Sequence, residues 1–81
     1  MEVMTIVGWR DMSFKGNDGQ PVQGRQFFFL MDDSQVTGQM AGKFFLSAQA
    51  LTTVGYIPGV GDVVEVYYNR YGKVSQIRLQ A

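Results

Sequence analysis

The chain has 81 residues, seven Lys and Arg against seven Asp and Glu, 46% hydrophobic and 17% charged residues, and neither His nor Cys. That length makes one small domain burying only about two-thirds of its surface, and the hydrophobic content excludes a disordered tail. Without Cys there is no disulfide, thiolate nucleophile or zinc site; without His the commonest general base is missing; and a net charge of zero gives no overall field to draw in a polyanion.

In chain order, Val3, Thr5, Val7 and Trp9 alternate with Met4, Ile6 and Gly8, which predicts a first strand over Glu2 to Arg10. Phe14 to Gly24 holds Gly16-Asn17-Asp18-Gly19-Gln20-Pro21, and Asp-Gly supplies the positive φ of a protruding loop or β-hairpin tip. A second strand is expected over Gln23 to Met31, turned by Asp32-Asp33-Ser34. A third over Gln35 to Leu46 is interrupted at Gly38 and Gly42, where bulges or sharp coiling are expected. Ser47 to Val54 is the single helix candidate, one or two turns long, with Ser47 as N-cap and Gly55 just past its end. After the Pro58-Gly59 loop come a fourth strand, Val63 to Tyr68, and a fifth, Lys73 to Gln80, joined by Asn69-Arg70-Tyr71-Gly72.

Five short antiparallel strands with one helical turn between the third and fourth suit an all-β fold, a small OB-fold-type barrel forming one domain over residues 1–81. SH3-like five-stranded barrels share that strand count. The longest apolar run, Phe27 to Met31, is far short of the ~20 residues a bilayer needs. No membrane partner is expected, and the acidic opening Met1-Glu2-Val3 predicts no secretory signal.

Little points to catalysis. Asp32-Asp33 is the one adjacent carboxylate pair, and turn formation is the ordinary use of such a pair. No phosphate-binding Gly-Lys loop or nucleophile elbow is present, so no enzymatic activity, cofactor, metal or small-molecule substrate is expected.

The aromatic residues are more informative. There are eleven, several of them adjacent: Phe27-Phe28-Phe29, Phe44-Phe45 and Tyr67-Tyr68. Neighbours on a strand face opposite sides, so if Phe27 and Phe29 fill the core with Met31, Phe28 lies outside with Leu30. An outer aromatic is either covered by the helix, a loop or a partner subunit, or it is a platform on which unpaired bases stack.

Charge is unevenly spread. Residues 1–40 hold Arg10, Lys15 and Arg25 against five acids, whereas residues 41–81 hold Lys43, Arg70, Lys73 and Arg78 against two. From Val66 onward there is no acid, and Arg70, Lys73 and Arg78 interleave with Tyr67, Tyr68 and Tyr71. Cations that track phosphates beside aromatics that take bases make the composition of a single-strand groove.

Gly19-Gln20-Pro21, a second strand closing on Asp32, Pro58-Gly59, Tyr71-Gly72 and Ile77-Arg78-Leu79, in that order, resemble the gene V type of helix-destabilising protein of filamentous phages. The likeness spans roughly Gly19 to Leu79. It implies an OB-fold homodimer that coats single-stranded DNA cooperatively. Tyr68 to Lys73 then corresponds to the family's dyad-related hairpin, with Tyr71 its aromatic tip near the partner subunit. Arg78 matches a phosphate-contacting base of the last strand, while the next outward position, basic in the family, is Gln80 here. Phe14 to Gly24 resembles the DNA-binding wing. It offers Lys15, with Arg25 just beyond, Val22 where an aromatic would fall, and Asp18 in place of a neutral or basic residue.

Together these features predict sequence-tolerant binding of single-stranded DNA, or RNA, in phage or plasmid replication in a bacterial cytoplasm. The nucleic-acid-binding candidates are Lys15, Arg25, Phe28, Lys43, Arg70, Tyr71, Lys73 and Arg78; Tyr67 and Tyr71 are the candidates for a homodimer interface. The alternative is a small β-barrel that docks onto a partner protein through exposed aromatics and sheet edges.

Overall fold

A computed structural model describes residues 1–80. Its elements are β1 (Glu2–Lys15), β2 (Pro21–Asp32), β3 (Gln39–Ser47), α1 (Ala48–Thr53), β4 (Val63–Tyr68) and β5 (Val74–Leu79). All strand pairs are antiparallel and form one sheet in the order β3-β2-β1-β4-β5. This is the small all-β fold expected, with the helical turn between the third and fourth strands. β1 pairs with both β2 and β4, the strand order of an OB-type barrel. The sheet's edges, β3 and β5, meet across a groove lined by Phe45, Ser47, Tyr68, Lys73 and Val74.

The first hairpin is longer than the alternation of Val3 to Trp9 predicts. β1 continues to Lys15, opposite Pro21, because the turn is closed so tightly. The Gly16 N–H donates to the Gln20 carbonyl at 2.8 Å, the Asp18 carboxylate accepts from the Gln20 N–H at 3.0 Å, and Gly19 takes φ +79°. Phe14 therefore lies within a strand, not in a loop.

Two expectations about irregularity are corrected. Gly38 does not interrupt β3; it sits at φ +88° in the preceding turn, which delays the strand to Gln39. Gly42 marks no bulge either, since the β2–β3 register runs unbroken from Asp32↔Gln39 to Gly24↔Ser47. Its lack of a side chain makes room for the Phe29 ring, whose Cζ would lie 2.5 Å from an added Cβ. An alanine there would push the ring aside at a cost on the order of 1–3 kcal/mol. The bulge lies instead in β1, where the register shifts between Ile6 and Gly8 and leaves Val7 without a partner on β2.

The core is Met4, Ile6, Phe27, Phe29, Leu46, Val54, Val64, Val66 and Ile77, with Phe44 stacked on Phe27 at 5.2 Å between centroids. Phe27 and Phe29 point inward with Met31 packed beside them, as the alternation predicts. The helix closes one end. Ser47 Oγ accepts from the Ala50 N–H at 3.1 Å, Gly55 turns the chain at φ +95°, and the Val54 carbonyl accepts from the Ile77 N–H at 2.8 Å. Asp62 ties the next loop together, accepting from the Tyr56 hydroxyl at 2.5 Å and the Gly59 N–H at 2.8 Å, while its carbonyl accepts from the Ile6 N–H.

Candidate functional site

Residues directly opposite one another on antiparallel strands point to the same side of the sheet, so the ladders fix what each face presents. On β1–β2–β3 the inward side continues through Phe27, Phe29 and Leu46. The outward side carries Gly8, Arg10 and Phe14 from β1, Gly24, Gln26 and Phe28 from β2, and Lys43 and Phe45 from β3.

At the centre of this outer face Phe28 stands directly opposite Lys43 on one side and Gly8 on the other. Gly8 leaves the flank of the Phe28 ring open: an added Cβ would only just touch it, at 4.0 Å. Arg10 reaches across with its guanidinium carbon 5.8 Å from the ring centroid, and its Nε donates to Gln26 Oε1 at 2.9 Å. Gln26 is buried, so the bond both satisfies its amide oxygen and fixes where the Arg10 charge sits. One half-buried aromatic is thus flanked by two cations, neither of them in an ion pair among the described residues.

A second aromatic group lies further along the same face. Phe45, opposite Gln26, leans over Gly24, where any side chain would collide with its ring and with the Leu46 carbonyl. Its ring meets that of Phe14 at 5.6 Å and 59°. Phe14 is the cross-strand neighbour of Val22.

The predicted site residues are only partly brought together. Phe28 and Lys43 are adjacent on the outer face. Arg25 is on the other side of the hairpin, stacked 3.8 Å from the Trp9 centroid and paired to Asp11 at 3.1 Å, the one ion pair among the described residues. Lys15 ends β1 on that same side, opposite Pro21. Arg70, Tyr71 and Lys73 cluster at the β4–β5 turn, where Asn69 Oδ1 accepts from the N–H groups of Tyr71 and Lys73. There Arg70 lies 5.0 Å from the Tyr71 ring, Tyr71 is 71% exposed, and Lys73 lines the groove between β3 and β5. Arg78 is exposed on β5 directly opposite Glu65, so a carboxylate shares its patch. Tyr67 is half-buried with its hydroxyl donating to Glu65, and Tyr68 donates to Glu2 at 2.6 Å. Burial, then that bond and charge, push the Tyr68 phenol above its ordinary range.

Arg10, Phe14 and Phe45 were not singled out from the sequence. Phe45 could have been, since Phe44 and Phe45 must face opposite sides. Arg10 could not: alternation counted from Met4 and Ile6 turns it inward, and only the bulge at Val7 turns it out.

Among the described residues no group of three or more acidic side chains could hold a metal ion, and no helix is long and apolar enough to cross a membrane. No protein-family model matches the chain, nor does any curated protein or solved structure.

Proposed function

We propose that this protein binds single-stranded nucleic acid, DNA in the first instance, through the outer face of β1–β2–β3, in the manner of the gene V type helix-destabilising proteins. The observation that supports this most directly is Phe28, open along the Gly8 side and flanked by Arg10 and Lys43, neither of which has an acidic partner among the described residues. An unpaired base offers a π-face to Phe28 while the flanking phosphates lie within reach of the two cations; a duplex hides that π-face. Selective binding of the open strand would lower duplex stability by mass action. Lys73, Arg70 and Tyr71 on the β4–β5 hairpin extend the basic surface across the groove between the sheet edges. The role is binding without catalysis, in phage or plasmid replication in a bacterial cytoplasm, by a homodimer.

Titration of a labelled 12-mer of thymidine against a duplex of equal length, over a range of salt, tests this. The single strand is expected to bind more tightly than the duplex. With two to six phosphate contacts, log K should fall with log salt at a slope between about −1.4 and about −4. Phe28→Ala is expected to weaken binding by roughly 5- to 150-fold, the loss of one stacked base. Absent, salt-insensitive or duplex-equal binding would leave a protein-docking barrel as the better account of the exposed aromatics.

A further inference from the structure

Phe14 and Phe45 form an aromatic pair on the outer face, the first exposed and the second half-buried. Phe14 is 45% exposed, outside the core, and the ring it meets lies across Gly24, a position kept free of any side chain. Both rings share the outer face with Phe28, Arg10 and Lys43. From Gly24 to Phe28 is four residues of strand, about 13 Å at ~3.3 Å per residue. Bases stacked on one another in a duplex strand are only about 3.4 Å apart. The two groups therefore take bases that are not neighbours in a stacked strand, and a base whose two faces are covered by its neighbours can lie on either ring only by giving up a stacking contact.

We propose that Phe14 and Phe45 form a second base-stacking station, and that the two stations together select strands that unstack easily, above all pyrimidine runs. This rests on the proposed single-strand binding and specifies its ligand. The occupant is a nucleobase and not an apolar partner because the face between the stations carries Arg10, with Lys43 beside Phe28, and neither cation is in an ion pair among the described residues, so each can meet phosphates running from one station to the next. Thymine gives up little self-stacking when extended and adenine gives up more, so the cost of reaching both stations falls unequally on the two bases.

The test compares 12-mers of thymidine and deoxyadenosine on the wild-type protein, on Phe28→Ala and on a Phe14→Leu/Phe45→Leu double variant, which keeps apolar bulk but removes the π-faces. The wild type is expected to prefer thymidine at least threefold, and the double variant to lose about tenfold in thymidine affinity and most of the preference. A double variant with wild-type affinity and preference, while Phe28→Ala still weakens binding, overturns the second station and leaves single-strand binding standing. So does a double variant that loses self-association but not affinity, since the pair would then be a subunit contact. A wild type that binds neither oligonucleotide overturns both proposals. If the double variant does not fold, photocrosslinking of the wild-type protein to a bromodeoxyuridine 12-mer decides. Adducts on Phe14 or Phe45 support the station, and adducts confined to other residues overturn it.

Discussion

Asp62 shows how one side chain sets a loop. The Tyr56 hydroxyl bonded to its carboxylate, with the Gly59 N–H, holds the carboxyl below its ordinary range, and the same bond raises the Tyr56 phenol. A carboxyl whose pKa is depressed by folding contributes stability above its unfolded value of ~3.9, and that contribution is lost as pH falls through the folded value. Asp62→Asn should therefore lower the urea midpoint at neutral pH and flatten its decline below about pH 4. An unchanged acid limb in the variant would count against the assignment. Pro58-Gly59 marks this turn in the sequence, but the Tyr56–Asp62 bond does not, because it depends on how the loop docks on Ile6. Gly42 differs in kind. Its presence in a strand is plain from the sequence, but the reason, a neighbouring Phe29 ring, appears only once the cross-strand register is known.

At the scale of elements, the five strands, the Asp18-Gly19 turn and the capped helical stub were legible because each has a local signal, whereas Gly38 was expected within the third strand and lies in the turn before it. Periodicity, Asp-Gly and Ser47 need no knowledge of the rest of the chain. The site was legible where alternation is unbroken, as at Phe28 and Lys43, and illegible in β1 beyond the bulge. Arg25 is the residue most affected, since it is held against Trp9 and Asp11 on the opposite side of the hairpin from Phe28. Arg25→Ala is expected to change single-strand affinity by less than threefold and to cost about 1 kcal/mol of stability through the lost ring contact and ion pair. Lys43→Ala should do the reverse, weakening binding several-fold and lowering the magnitude of the salt slope by about 0.7 with little effect on stability. Oligonucleotide titrations and urea melts of the two variants side by side would separate them, and a loss of affinity in Arg25→Ala equal to that in Lys43→Ala would place the nucleic acid on both sides of the hairpin.

At the scale of the whole molecule, zero net charge becomes a statement about arrangement. Of the seven cations, only Arg25 is in an ion pair among the described residues, although the total sums to nothing. Exposed Tyr71 on the β4–β5 hairpin and the unpaired edges of β3 and β5 are surfaces that a small domain without disulfides gains by covering. Sedimentation equilibrium at micromolar concentration is expected to give twice the 9.1 kDa of one chain, and Tyr71→Asp to shift it toward the monomer. A wild-type monomer would remove the homodimer from the proposal. The bulge at Val7 also bears on how the chain avoids misfolding. If the ladder continued smoothly from Ile6↔Phe29, each later residue of β1 would slip by one, and Arg10 would stand opposite Arg25 with Asp11 drawn away from it. Two like charges set face to face on the inner side of a hairpin penalise that slipped pairing. Arg10, which the bulge turns to the outer face, thus also disfavours the hairpin's nearest competitor, so a side chain of that surface helps decide which hairpin forms.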